Sequence, residues 1–256
     1  MDGCQIDSGV VVHPARGQYL SCRRGCGASR RGSVRRDIAI DGPSGSGKTS
    51  VGLGVAAGLG LMLVDSGLLY RAFTAAYAEQ FPSDRCLRSD RLLDILERCI
   101  SYEPGGTVLF GGRVLQLSLH DPRVDSLVSP VSAVPQVRAA VNRELRRIAL
   151  LQDVVMVGRD IGTTVLPKAL LKVFITADPD VRARRRVAQL EHQGSPVDYE
   201  VVLANIKERD AIDSSREDSP LRCTEEHVKL DNSADGSDGV VQVILAEYRR
   251  RLEHVV

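Results

Sequence analysis

The sequence predicts an α/β fold, a parallel sheet flanked by helices, and three observations carry that expectation. Short β-branched apolar runs alternate with segments of helical length along most of the 256 residues. Each apolar run ends in polar residues. A glycine-rich stretch, DGPSGSGKT (41–49), stands between the first run and the first helical segment. Strands that alternate with helices form parallel sheets with right-handed crossovers. Ligands then bind beyond the carboxyl ends of the strands.

Taken in order, DIAID (37–41) is the first strand and SVGLGVAAGL (50–59) the first helix. Gly52 and Gly54 lie inside that helix, each costing about 1 kcal/mol relative to Ala, so close packing against the sheet is the expected reason for them. LMLVDSG (61–67) is the second apolar run and LLYRAFTAAYAEQF (68–81) the second helix. The rhythm breaks between about Phe81 and Pro135. SDRLLDILERCISY (89–102) reads as helical, and TVLFGGRVLQLSL (107–119) as a hairpin turning at Gly111-Gly112, together an insertion beside a ligand site. DVVMVGRD (153–160) and LLKVFITAD (170–178) restore the strand pattern. DPDVRARRRVAQLEHQ (178–193) opens a helix with Asp178 as N-cap and Pro179 at its first position. HVKLDNS (227–233) is a last strand and GVVQVILAEYRRRLEHV (239–255) a closing helix.

Composition narrows the classes. Hydrophobic residues make up 43% and charged residues 26%, ordinary for a soluble domain. Trp is absent and aromatics are 4%, which disfavours a stacking platform for single-stranded nucleic acid. Formal net charge is +1, but residues 1–36 hold seven Arg against two Asp, which leaves −4 for the rest. A phosphate site in the body must therefore be a local cluster of basic residues. Residues 1–36 show no periodicity and read as a disordered Arg-rich extension or a start assigned too far upstream, with an RNA-binding arm as the sharper reading. The longest uncharged run, between Lys48 and Asp65, contains four glycines and is too short to span a membrane comfortably. No signal-peptide pattern opens the chain, so a cytoplasmic protein is expected. The six cysteines are expected as free thiols. Cys22 and Cys26, with Cys4 and His13 upstream, have spacing too irregular for a convincing metal site.

Three constellations carry chemistry. Gly42–Thr49 fits G-x₄-G-K-[ST] after a strand and before a helix. Glycines let backbone N–H groups curl around phosphate, the helix N-terminus adds partial positive charge, Lys48 can bridge β- and γ-phosphates, and the Thr49 hydroxyl can ligate Mg²⁺. In KERDAIDSSR (207–216), Arg209, Asp213 and Arg216 fall on one helical face, against the plainer reading of a solvated ion-paired surface. Arg182, Arg184, Arg185 and Arg186 crowd one segment and repel unless an anion sits among them. No nucleophile–base pair is evident, and none is required: a phosphate acceptor is already anionic, so the work is to align two polyanions and neutralise their repulsion.

From Asp37 onward IAIDGPSGSGKT, LVDSGLLYR, VSAVPQVR, VGRDIGTTVLP, VFITADPDVRARRR and IKERDAIDSSR follow one another in that order. On these motifs the chain resembles the bacterial cytidylate kinases of the nucleoside-monophosphate kinase fold. It implies a P-loop core with a monophosphate-binding insertion over about 66–138 and a short lid over about 182–197. It implies ATP at Gly42, Pro43, Ser44, Gly45, Ser46, Gly47, Lys48, Thr49 and Ser50, with Mg²⁺ at Thr49. It implies CMP, and dCMP, among Ser66, Tyr70, Arg71, Ser129, Arg138, Arg159, Asp160, Arg209, Asp213 and Arg216. Ser66 and Tyr70 line the acceptor pocket, Arg71 and Arg159 hold the acceptor phosphate, Ser129, Arg138 and Asp160 meet the base, and Asp213 meets the sugar. Lys48, Arg159, Arg184 and Arg216 are expected to act on the phosphoryl group in flight. His120 stands where many members carry Arg and is assigned no role, and the helix after Thr49 lacks the basic residues often found there.

The expectation is thus an ATP-dependent (d)CMP kinase acting as a monomer on small molecules, with no nucleic-acid or membrane partner. A kinase of the same fold using UMP, AMP or a non-nucleotide acceptor is the nearest alternative. A guanine-nucleotide switch is disfavoured because no N-K-x-D motif follows the loop, and a DNA-binding ATPase by the negative body. A pure binding module leaves Lys48, Thr49 and the arginines unexplained.

Overall fold

The computed structural model describes residues 35–84, 86–88, 91, 92, 95, 100–102, 107–115, 117–192, 194, 197–234 and 236–254. The expectations for Cys4, His13, Cys22, Cys26 and the basic arm, and parts of those for segment 89–102 and lid 182–197, lie outside the described residues.

Five parallel strands form the central sheet: β1 (Ile38–Asp41), β2 (Met62–Asp65), β5 (Val154–Gly158), β6 (Leu171–Thr176) and β7 (His227–Asp231), in the order β2-β5-β1-β6-β7. Every residue of β1 and β5 is buried, as expected for parallel strands covered on both faces. Side chains alternate between the faces. Ile38, Ile40, Val155, Val157, Val173 and Ile175 pack under α1 (Lys48–Leu59) and α7 (Asp238–Glu253). Ala39, Val64, Val154 and Met156 pack on the other side with α2 (Ser66–Gln80), α3 (Pro122–Ala133) and α4 (Pro135–Leu151). Full burial of each Val or Ile contributes about 1.5–3 kcal/mol, so the two faces jointly anchor the sheet.

The helices start where the chemistry of their first residues dictates. The Asp65 side chain accepts from Gly67 N at the head of α2, and Asp121 accepts from Arg123 N at the head of α3. Prolines open α3 and α4. Helix α5 (Pro179–His192) begins at Pro179 with Asp178 accepting from Asp180 N, and α6 (Tyr199–Ser215) is capped by Asp198. These two helices share a small apolar cluster of their own, Ala183, Val202, Leu203 and Ile206, and form a helical hairpin beside the main body.

The glycines inside α1 answer two different neighbours. A Cβ on Gly52 would lie 2.7 Å from Val157 and 2.9 Å from Leu63, so this turn rests directly on the sheet. On Gly54 it would lie 2.9 Å from Val241 of α7, a helix–helix contact rather than a sheet contact.

Two boundaries shift. Segment 89–102 is not helical to its end, because Ile100–Tyr102 is strand β3, paired antiparallel with β4 (Val108–Phe110). The expected turn at Gly111-Gly112 is present, both residues having positive φ, but among the described residues only Arg113 pairs back, with Phe110. The longer ladder forms upstream because Ile100, Tyr102, Val108 and Phe110 can all be buried against α2 and α4. The fold also begins before Asp37: Arg35 donates to Ala149 O and pairs with Asp37, and Tyr248 donates to Arg36 O.

Candidate active site

At the carboxyl ends of the strands lies a cleft of about 210 Å³, reached by the glycine-rich loop on one side and by α2, α3 and α6 on the other. Its lining carries six cations, Lys48, Arg71, Arg138, Arg159, Arg209 and Arg216, against three carboxylates, Asp65, Asp160 and Asp213. In a body of net negative charge this is a concentrated local positive field, suited to a polyanion.

The loop's conformation requires its glycines. Gly42 has φ 153° and a Cβ there would meet Ile175 O at 2.0 Å; Gly47 has φ 87° and a Cβ would meet Asn232 Nδ2 at 2.4 Å. Asn232, just past β7, donates from that nitrogen to Ser46 O at 2.9 Å and so supports the loop from beneath. Lys48 folds over the loop, donating to Pro43 O at 2.6 Å and to Ser46 Oγ at 3.4 Å. Burial, and then the Arg159 charge, hold its ammonium well below the ordinary lysine range. Thr49 Oγ1 donates to Asp65 Oδ2 at 2.8 Å. A hydroxyl beside a carboxylate at the mouth of a phosphate loop supplies the all-oxygen donors that Mg²⁺ prefers.

Opposite the loop, cations and carboxylates are interleaved. Arg138, with its side chain 1% exposed, donates from Nη2 to Asp160 Oδ2 at 2.6 Å and lies over the Tyr70 ring at 5.7 Å. Burial raises the Asp160 carboxyl above the usual range, against the pull of Arg138. Arg159 Nε pairs with Asp213 Oδ2 at 2.7 Å, and Arg216 pairs with the other oxygen of Asp213. Arg216 follows the last turn of α6 as its C-cap rather than continuing the helix, and it still folds back onto Asp213. Arg209 and Arg216 are each pushed down to about 10 by burial and by neighbouring arginines, and the Nε of each is buried without a hydrogen-bond partner among the described residues. Guanidinium groups crowded in this way gain most from an anion entering among them. Ser66, whose Oγ donates to Val157 O, and the buried Ser129 complete the wall.

Of the expected loop residues, Ser44, Gly45, Lys48 and Thr49 line the cleft, while Gly42, Pro43, Ser46 and Gly47 form the loop body behind them. Two expected site residues are not brought there. Ser50 is exposed, because the next step around α1 turns it outward. Arg184 is exposed on α5, two positions from Arg182 and therefore on the opposite face. The other arginines of α5 have separate protein partners: Arg182 is buried against Ser44 O, Ala177 O and Asp210, Arg185 donates to Ala234 O, and Arg186 pairs with Asp125.

Residues not singled out in the sequence also shape the site. Asp41, fully buried at the end of β1, accepts from Ile161 N and Gly162 N at 2.7 Å each, which pins the π-helical turn Ile161–Val165 directly after Asp160. Asp41 and Asp65 both end apolar runs, and that position was the available signal. Nothing comparable marked Asn232 or Asp125.

The family model described as cytidylate kinase matches residues 38–250. A cytidylate kinase of Caldanaerobacter subterraneus subsp. tengcongensis is 37% identical over 213 residues, covering 83% of this chain and 94% of that protein. One of Parabacteroides distasonis is 39% identical over 203 residues, 77% and 89% of the two chains, and one of Mycolicibacterium paratuberculosis is 39% identical over 220 residues, 84% and 96%. On this match, and with a phosphate loop facing an arginine-lined cleft, the chain belongs to the cytidylate kinase family.

Proposed function

We propose that the protein transfers the γ-phosphoryl group of ATP to a phosphate oxygen of CMP, and of dCMP, giving ADP and the cytidine diphosphate. The observation that carries this reading is the buried Arg138–Asp160 pair in the wall of a cleft that is also lined by the phosphate loop. It offers a carboxylate to an exocyclic amine where the rest of the lining serves phosphates. Uracil has a carbonyl at that place and would oppose oxygen to oxygen.

In the forward reaction an oxygen of the acceptor phosphate bonds to the γ-phosphorus as the bond to the β-bridging oxygen breaks, and ADP leaves with that electron pair. Lys48 leaves Pro43 O to span the β- and γ-phosphates. Arg71 and Arg159 hold the acceptor phosphate, Arg209 lies close by, and Arg216 reaches the charge that develops between the two substrates. Asp213 orients Arg159 and Arg216 and meets the sugar. Ser66, Tyr70 and Ser129 bound the nucleoside pocket. Thr49 and Asp65 are the residues that would hold Mg²⁺, which when bound neutralises phosphate charge. Arg184, on the outer face of α5, takes no part in this reading.

In domain terms Ser66, Tyr70, Arg71, Ser129 and Arg138 come from the insertion over about 66–138, and the segment over about 182–197, which includes most of α5, forms the lid. Among the described residues no helix is long and apolar enough to cross a membrane. We take the enzyme to be a monomer, and the net negative body supports small molecules rather than nucleic acid as partners. We place the activity in the cytoplasm, where both nucleotides are available.

A coupled ADP-release assay across CMP, dCMP, UMP, AMP and GMP tests the proposal. CMP or dCMP should show the highest specificity constant; a higher value for AMP or GMP would defeat the cytosine assignment.

A further inference from the structure

Asp125 sits in the first turn of α3 and does not line the cleft, yet it engages two arginines from different elements. Its Oδ1 lies 2.7 Å from Nη2 of Arg71 on α2, and its Oδ2 accepts from Nη2 of Arg186 on α5 at 2.9 Å. The three side chains are only 15–26% exposed, so the charges are partly shielded from solvent and the interaction is stronger than between free surface groups. Arg71 also donates from Nη1 to Leu119 O at 2.8 Å. Both terminal nitrogens of this cleft arginine therefore already carry protein partners. One partner is a neutral carbonyl; the other is an anion that repels an incoming phosphate.

We infer that Asp125 is a positioning residue that acts as an internal counter-ion, occupying Arg71 and tethering Arg186 until the acceptor phosphate displaces it. The inference rests on the assignment of Arg71 to the acceptor phosphate. The exchange favours the ligand once it is seated, because a phosphate brings more charge and more acceptor oxygens than one carboxylate. It nevertheless raises the concentration of CMP needed, since part of the binding energy goes into separating Arg71 from Asp125. The same step leaves Asp125 wholly to Arg186, so the acceptor site and the lid helix are linked through one carboxylate. Without Asp125, Arg71 and Arg186 repel each other, and Arg71 gains by meeting phosphate.

Calorimetric titration of CMP into the full chain without ATP tests this, comparing wild type with Asp125→Asn and Arg186→Gln. Asp125→Asn should bind CMP about threefold to tenfold more tightly, the range expected for loss of a partly buried competing ion pair, while its ligand-free melting temperature falls. Arg186→Gln should weaken CMP binding, because Asp125 is then left wholly to Arg71. Opposite shifts in the two variants distinguish an exchanged counter-ion from a structural bridge, whose loss would weaken binding in both. Weaker or unchanged CMP binding by Asp125→Asn overturns the inference and identifies Asp125 as an orienting partner or a surface pair. Failure of the wild type to bind CMP would instead strike at the acceptor reading; inorganic phosphate then serves as the probe, and it must show the same tightening in Asp125→Asn for the exchange to stand.

Discussion

Asp160→Asn separates base reading from phosphate handling. Asp160 is 4% exposed, and its Oδ2 already accepts from Arg138 Nη2 at 2.6 Å, which leaves Oδ1 for the base. A buried hydrogen bond to a charged acceptor contributes about 1.5–3 kcal/mol, or about 10- to 100-fold in a rate or binding constant. Asparagine keeps an acceptor for Arg138 but can also turn its amide N–H toward a carbonyl. The specificity constant for CMP should therefore fall about 10- to 100-fold, while that for UMP holds or rises, and the CMP-to-UMP ratio should collapse accordingly. Removing one partner of a buried pair outright costs about 3–5 kcal/mol; the retained hydrogen bond keeps the loss below that, which is a fall of several degrees in melting temperature. ADP-release kinetics with both acceptors, beside a thermal melt, supply the data. A variant that melts cooperatively and keeps the wild-type ratio within about twofold refutes base reading by Asp160.

Two further substitutions probe the loop and the surface. Asn232→Ala removes the Nδ2 donor to Ser46 O and leaves a buried carbonyl unpaired, at about 1–3 kcal/mol. The KM for ATP should rise with that for CMP little changed, and an equal rise in both would show that Asn232 does not act through the loop. At Glu247, hydrogen bonds from Arg250 and Arg251 pull the carboxyl down to about 2 from 4.5. A depressed carboxylate contributes stability above its unfolded value and loses it as pH falls through the folded one. Glu247→Gln should therefore lower stability at neutral pH by no more than about 1 kcal/mol, as befits a screened surface pair. The gap should close as pH falls from 4.5 toward about 2, and a gap persisting in acid would show that charge is not its source.

The strand–helix rhythm was readable because buried parallel strands leave continuous apolar runs, as β1, β2, β5 and β6 do, whereas β7 alternates apolar with polar residues. The phosphate loop was equally plain, since few backbones other than glycine tolerate the conformations at Gly42 and Gly47. The β3–β4 ladder was not, because three-residue strands give too little period to distinguish from the end of a helix. The arginines of α5 were visible as a cluster but not by destination. Helical phase puts Arg182 and Arg186 on one face and Arg184 on the other, yet only tertiary contacts show that face turned toward Ser44, Asp210 and Asp125. Asp125 and Asn232 were illegible for the same reason: each acts through a contact with a distant segment, and a lone Asp or Asn has no spacing to announce it.

The support beneath the phosphate loop has a consequence for the chain as it is made. Asn232 and Ser46 lie 186 residues apart, and β1 pairs with β5 and β6 in registers that join Ile38 to Val155 and to Leu171. The loop leaves the ribosome well before its prop, with β5 and β6 emerging between them. At ordinary translation rates about 10 to 40 s separate the two events. Until those strands follow, the glycine-rich segment lacks the sheet that shapes it, and until β7 arrives it lacks the Asn232 prop, so a nascent chain is expected to gain nucleotide affinity late in that interval.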